Sequence, residues 1–471
     1  MAEIVLVTPP VTLEERYGKL SGAANTLPSL GILYLAAVLR KEGHPVSVIE
    51  ASSLRLSLKE LVGEIVNNKP KYLGISSTTL SIFHASALAD EIKNIDGNIR
   101  TIIGGPHLTA IPEETMGLFK SFDFGVIGEG EETMKGLIHS LEHGRNGSDV
   151  SGVIFREGDK TVRTAPRKFS DDLDRLPFPA WDLLRDFPNK YHPPPFRFRR
   201  LPAVYIVTTR GCPFKCIFCD RSVFGNKCRG HGSEYVLELI EYLYNRFGIR
   251  ELLIEDDTFV TFKKRLSEVC EGLIRRGIKI SWSCLARADA VTPEILSLMK
   301  KAGCWSISYG IETGDEDVMK FIGKNITIDK IEQAVRFTKK AGILSKGFFI
   351  LGHPTDTRDT IKKTIDFALR IPLDDISASM MTPFPGSRLH EIALQYGEFE
   401  NNWRKMNELN VVFIPKGLTK NDLEWYSREL LKRFYLRRGK ITNYIGRIIR
   451  NPTSLPLYIK GFSAFFKKIA L

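Results

Sequence analysis

The strongest constraint on this chain is a rhythm. Short apolar runs alternate with amphipathic stretches of helical spacing, first over about residues 3–145 and again from Leu201 onward. In the first block "EIVLVTP", "PVSVIEA", "YLGISST", "RTIIGG" and "DFGVIGEG" have strand character. Between them lie "LGILYLAAVLRKEG", "LKELVGEIVNN", "SIFHASALADEIKNI" and "PEETMGLFKS", which read as helices. Strands joined by such long connections pair in parallel, and a parallel sheet needs cover on both faces. The expectation is an α/β chain that opens with a Rossmann-like domain over residues 1–147. Ligands of such sheets bind beyond the carboxyl ends of the strands, which here read "TPP", "SST", "GGPH" and "GEGEE".

In the second block "AVYIVTT", "ELLIED", "KISWSCL", "WSISYGIE", "KGFFILG" and "ISASMMT" are the strands. Helices are predicted near 233–247, 261–276, 292–302, 314–341 and 356–370. Six strands with five crossovers suggest a partial (β/α)6 barrel over residues 199–395, with its active site at the strand carboxyl ends. Those ends carry Cys212, Asp256, Asp257, Arg287, Glu312 and Gly352. Residues 148–198, with a predicted hairpin "SGVIFREGDKTVRT" and a Pro-rich aromatic stretch, read as a linker. Residues 396–471 read as a helical C-terminal extension ending in a basic tail.

Composition narrows the class. A chain of 471 residues with 43% hydrophobic and 26% charged residues can bury large cores. No leader-like segment opens it, and no apolar run approaches the ~20 residues that span a bilayer. Seven thinly spread cysteines do not form a disulfide framework. A cytoplasmic protein with free thiols is expected. The formal charge is +12, yet Leu431–Leu471 holds ten Lys and Arg and no acid. The rest is near neutral, which speaks against a nucleic-acid-binding body. The tail, basic and aromatic, suits an anionic membrane surface. RNA, or a helix packed on the protein with its cations in water, are the alternatives.

In "RGCPFKCIFCD", Cys212, Cys216 and Cys219 fall within eight positions. A zinc site would need a fourth ligand, for which Cys228 is the nearest candidate, though no second CxxC knuckle accompanies it. Three thiolates can instead hold a [4Fe-4S] cluster at three corners, leaving one iron open to a ligand bearing an amine and a carboxylate. Cys270, Cys284 and Cys304 sit amid apolar residues and read as buried hydrophobes, and His353 as loop packing.

The CxxxCxxC loop after the first strand of a partial barrel resembles the radical S-adenosylmethionine (SAM) enzymes. "EDDTF", "ARADAVTPE", "KAGCWSISYGIETG", "KGFFILGHP" and "TPFPGSRL" extend the resemblance over the second block. It implies that the methionine end of SAM chelates the open iron and that one electron cleaves the sulfonium to a 5′-deoxyadenosyl radical. It further implies SAM contacts from Phe218 (adenine), from Arg287 and Glu312 (amino, carboxylate or ribose groups) and from Asp256. A structural Arg–Glu pair, and helix capping by Asp256 or Asp257, are the alternatives.

The long first loop of the front domain lacks GxGxxG, which weighs against NAD, although Glu50 is placed to bind a ribose. "LPSLGILYLAAVLRKEGHPVSVIEA", "GGPHLTAIPEET" and "GEGEET" resemble instead the cobalamin-binding domain in front of many radical SAM proteins, including the Mg-protoporphyrin monomethyl ester cyclase and class B methyltransferase group. DxHxxG is absent, so no protein imidazole on cobalt is expected. The resemblance implies cobalamin contacts from Ser29, Ser76, Ser77, Thr78, Gly104, Gly105, His107, Gly128, Glu129 and Gly130.

The expected cofactors are thus a [4Fe-4S] cluster, SAM and cobalamin, and the expected function is methyl transfer to an activated substrate carbon. Cyclisation, ring rearrangement or oxidation within the same family are alternatives, as is a zinc- or corrinoid-binding module without activity. A methylthiolase-like enzyme would carry a second three-cysteine cluster in its first domain, and no cysteine precedes Cys212. The expected partners are a small-molecule substrate, hydrophobic or lipid-like, and an external electron donor. Peripheral membrane contact through the tail is expected as well, and nucleic acid is not.

Overall fold

The computed structural model describes residues 3–469 apart from Thr258, Arg438, 441–444, 447–448 and 450–454. The chain forms two compact units. One comprises Met1–Arg16, Thr26–Tyr191 and Asp220–Arg229, the other Tyr17–Asn25, His192–Cys219 and Gly230–Leu471.

The first unit is built on a seven-stranded sheet. Its strands are β1 (Ile4–Thr8), β2 (Val46–Glu50), β3 (Tyr72–Ser76), β4 (Arg100–Gly104), β5 (Phe124–Val126), β6 (Val153–Glu157) and β7 (Lys160–Arg163). They lie in the order β2-β1-β3-β4-β5-β6-β7, the first five parallel and the last two antiparallel. The expected hairpin is therefore present, but it continues the sheet from β5 rather than standing apart in a linker. Crossover helices Leu30–Lys41, Leu58–Asn68 and Ile82–Ile95 bury one apolar stripe each, among them Leu33 and Leu39, Leu61 and Ile65, and Leu88 and Ile92. A capping box between Ser57 and Glu60 starts the second of these. The strand order reverses between β1 and β3, and a doubly wound sheet opens its binding crevice at the carboxyl ends of such a pair.

The second unit holds six parallel strands: β8 (Ala203–Ile206), β9 (Glu251–Ile254), β10 (Ser281–Ala286), β11 (Cys304–Glu312), β12 (Leu344–Leu351) and β13 (Asp375–Met380). They follow one another in sequence order across the sheet, as in an incomplete barrel. Helices Ser233–Arg246, Lys263–Arg275, Pro293–Lys301, Ile328–Lys340 and Arg358–Arg370 cover them. Trp282, Tyr309 and Phe349 are among the largest buried side chains, and the Tyr309 hydroxyl shares a hydrogen bond with Thr338. Cys270, Cys284 and Cys304 are buried in this core.

One element differs from expectation. The single helix predicted over 314–341 is two, Glu316–Phe321 and Ile328–Lys340. Gly323 and Asn325 between them have positive φ, +72° and +50°, which ends an α-helix.

Candidate functional site

After β8 the chain turns through Gly211, at φ +84°, into the cysteine loop. Ile217, between the second and third cysteines, is clamped from two distant segments. Its amide donates to the Ile322 carbonyl at 3.0 Å, and its carbonyl accepts the Leu389 amide at 2.8 Å. Gly323 comes so near that a Cβ there would lie 2.7 Å from the Lys215 carbonyl. Ile217 and Phe218 pack against the cluster formed by Met381, Leu389, Ala393 and Phe413. The amide of Cys219 closes a turn onto the Cys216 carbonyl at 3.2 Å. Backbone bonds and apolar packing thus hold the loop in position.

The three thiols are unequal. A hydrogen bond from Cys219 holds the Cys216 thiol down, at about 7, and the charges of Lys324 and Arg287 act in the same sense. The same bond pushes Cys219 up. Burial raises Cys212. Among the described residues, the one group of three ligand-type side chains gathered within 4.8 Å is Glu3, His44 and Glu142. Cys212, Cys216 and Cys219 are free cysteines presented by one loop, and an all-thiol set of three is the donor chemistry of an iron–sulfur cluster held at three corners.

Arg287 and Glu312, both singled out from sequence, reach the same neighbourhood. The Arg287 guanidinium lies 3.6 Å from the Phe214 ring centroid in the cysteine loop, pairs with Asp289 at 2.8 Å and donates to the Lys324 carbonyl at 3.1 Å. Glu312, at φ +69° beside a bulge in the β11–β12 pairing, accepts from Lys324 Nζ at 2.5 Å. The two side chains are 9% and 7% exposed, so this is a buried ion pair. It does not join Glu312 to Arg287, which was the structural alternative.

Asp256 is placed otherwise than expected. It is fully buried, its oxygens accept from the Thr208 amide and hydroxyl, and Arg265 stands 3.7 Å away. These bonds make it a brace between the ends of β8 and β9. Its exposed neighbour Asp257 accepts from the Gly211 backbone, and its charge bears on Cys212. His353, fully buried, lies 6.3 Å from the Phe218 ring, and neither ring nitrogen makes a well-formed hydrogen bond. Burial is the main influence and pushes it down, toward the neutral ring.

In the first unit the carboxyl ends of β3, β4 and β5 bring Ser76, Ser77, Thr78, Gly104, Gly105, Gly128, Glu129 and Gly130 to one edge of the sheet. Gly105, at φ +100°, lies against the loop after β3: a Cβ there would meet the Ser77 carbonyl at 2.6 Å and its amide at 2.9 Å. Gly128, at φ +78°, has no atom nearer than 3.9 Å to such a Cβ. A close-packed turn beside an open glycine gives a backbone-lined edge that a large planar ligand can approach, and these residues fit a corrin.

Three residues there have other duties. The buried Glu50 carboxylate accepts from the Ser29 amide at 2.6 Å and the Thr8 hydroxyl at 2.9 Å, so it pins the first helix and is not free for a ribose. Burial pushes its carboxyl up to about 7. His107 is fully buried with Nδ1 3.2 Å from the Thr79 hydroxyl, and burial pushes it down to about 4, toward the neutral ring. Glu129 makes a two-pronged pair with Arg229 at 2.9 and 3.0 Å, their side chains 11% and 3% exposed.

Sequence reading missed Lys324, Phe214 and Arg229. The Gly-Lys-Asn at 323–325 was a helix-breaking signal inside the predicted 314–341 helix. For Phe214 and Arg229 the sequence carries no such mark.

Known proteins agree with this arrangement. The model of the radical SAM superfamily matches residues 206–368, and that of the B12 binding domain matches residues 20–138. The chain is similar to an uncharacterized methyltransferase of Pyrococcus horikoshii, 35% identical over 92% of this chain and 93% of that protein. It is 27% identical to the anaerobic magnesium-protoporphyrin IX monomethyl ester cyclase of Cereibacter sphaeroides, over 88% of this chain and 68% of the relative. Its fold matches the radical SAM methyltransferase TsrM of Kitasatospora setae with a TM-score of 0.73 at 17% identity, covering 91% of each chain. The chain belongs to the radical SAM superfamily, in the branch that also carries a B12-binding domain.

Proposed function

We propose that this protein is a cobalamin-dependent radical SAM enzyme that transfers a methyl group to a carbon of a small molecule. The observation that carries the reading is the clamped loop of three cysteines beside the buried Glu312–Lys324 pair and Arg287. Cys212, Cys216 and Cys219 would hold a [4Fe-4S] cluster. Glu312, kept in place by Lys324, would accept the amine of SAM, and Arg287 would take its carboxylate or ribose. Phe218 would lie against the adenine, and Phe214 would help to exclude water. In the first unit Ser29, Ser76, Ser77, Thr78, Gly104, Gly105, Gly128 and Gly130 would line the cobalamin. Bound there, the cluster and SAM supply a hydrogen-abstracting radical, and the corrin supplies the methyl group.

On this reading residues 1–147 carry cobalamin, 199–395 the radical site, and 396–471 the extension. The partners are a small-molecule substrate, a one-electron donor and, through the tail, a membrane surface. The test is anaerobic reconstitution, then incubation with SAM, a reductant and methylcobalamin in a cell lysate that supplies candidate acceptors, with mass spectrometry of the products. 5′-Deoxyadenosine together with a methylated compound supports methyl transfer. 5′-Deoxyadenosine without methylation moves the reading to cyclisation or rearrangement, which the 27% identical cyclase favours. One zinc and no iron per chain overturns it.

A further inference from the structure

We propose that the C-terminal tail seats this protein on the surface of an anionic lipid bilayer. Among the described residues thirteen large apolar side chains are exposed, and six of them lie from Leu436 onward: Leu436, Ile445, Ile449, Leu455, Ile459 and Phe466. That is a short final stretch of 471 residues. It also carries eight Lys and Arg and no Asp or Glu.

The last helix, Leu455–Ile469, shows how the two properties combine. One face is docked on its own unit. Tyr458 and Ala464 are 4% and 3% exposed, the Tyr458 ring stacks on Phe196 at 4.6 Å, and Phe462 meets that ring edge-on at 5.2 Å. Gly461 is required at this contact, because a Cβ there would come within 2.7 Å of the Phe196 ring.

The stripe flanking this docked face holds Leu455, Ile459 and Phe466, exposed by 41, 58 and 52%. At ~100° per residue these three fall within about 40° of one another. A helix docked on a protein and otherwise facing water turns a polar face outward. This one turns out an apolar stripe, with the exposed Lys460 to one side of it.

Fifteen helical residues reach only ~22 Å, short of a ~30 Å hydrocarbon core, and among the described residues no helix is long and apolar enough to cross a membrane. The helix therefore lies in the interface. Lipid is the occupant both properties select. Anionic headgroups complement unbalanced cations, and the acyl boundary takes up the isoleucines, whereas RNA offers phosphate without an apolar layer.

This attachment is independent of the chemistry proposed above, so failure of either leaves the other standing. The experiment is flotation of the full-length protein with vesicles of phosphatidylcholine alone, or of phosphatidylcholine mixed with phosphatidylglycerol. Wild type is expected to float with the mixed vesicles, less so in high salt. Ile449→Asp/Ile459→Asp is expected to lower that binding about tenfold or more, its fold checked by circular dichroism. Both side chains are exposed, so the variant has little reason to misfold. No flotation of wild type, or equal flotation of wild type and variant, overturns the proposal. So does a variant that loses retention of a single-stranded RNA on a filter while its vesicle binding is unchanged.

Discussion

Glu312 and Lys324 meet at 2.5 Å within the second unit, both less than a tenth exposed, although they lie twelve positions apart with a helix between them. Gly310 makes room for them. A Cβ there would lie 2.5 Å from Glu312 Oε1 and 2.8 Å from Lys324 Nζ. Three local irregularities converge on this point: the bulge in the β11–β12 pairing, the positive φ of Glu312 and the break between two helices. Backbone irregularity of this kind gathers at functional sites.

Replacing Lys324 by Met leaves a buried carboxylate without its cation. Loss of one partner of such a pair costs about 3–5 kcal/mol. Denaturant unfolding of Lys324→Met is expected to show a loss of that size, and equilibrium dialysis of SAM against the reconstituted protein a weaker complex. Unchanged stability and SAM affinity would show that the pair does not organise the site.

Gly323→Ala tests the clamp on the cysteine loop. The variant must hold a positive φ and place its methyl 2.7 Å from the Lys215 carbonyl. Gly277→Ala is the control, with φ +65° and nothing within 4 Å. Each carries about 1 kcal/mol of left-handed backbone cost. Only the Gly323 variant is expected to lose iron after anaerobic reconstitution, read as iron per chain and absorbance near ~400 nm.

Stability is expected to fall as pH rises from about 4.5 to about 7. Burial raises the Glu251 carboxyl from 4.5 to about 7, against hydrogen bonds from Ser281, Trp305 and the Arg199 backbone. In this window the unfolded chain has released the proton while the folded protein keeps it, so folding is favoured at the acid end. That advantage is lost as pH passes the folded value. Glu251 contributes about 3 kcal/mol across the window. Glu50, raised to about 7 in the first unit, acts in the same direction. Unfolding free energies of Glu251→Gln at several pH values should show a shallower slope with part of it remaining; an unchanged slope would exclude Glu251.

Gly105→Ala probes the corrin edge. Its methyl would strike the Ser77 carbonyl at 2.6 Å at a φ of +100°, so the loop must move. An absorbance titration with hydroxocobalamin is expected to show affinity lower by about tenfold or more, equivalent to ~1.4 kcal/mol. Wild-type affinity in this variant would place cobalamin elsewhere.

Much of this was written locally. The alternation of apolar and amphipathic segments dictated two parallel α/β blocks, since period and connection length are properties of neighbouring residues. The spacing of Cys212, Cys216 and Cys219 is likewise local, because one loop presents all three. What the sequence could not reveal depended on residues distant in the chain. Lys324 was read as part of a helix because nothing near it indicates that Ile322 must bond to Ile217 or that its ammonium must find Glu312. Asp256 and Asp257 were indistinguishable until Thr208 took one and left the other exposed. Local sequence thus determined which elements form and that one loop carries the three cysteines. Tertiary packing decided which charges are paired and which faces remain open, because burial and ion pairing are set by neighbours that meet only after the chain has folded.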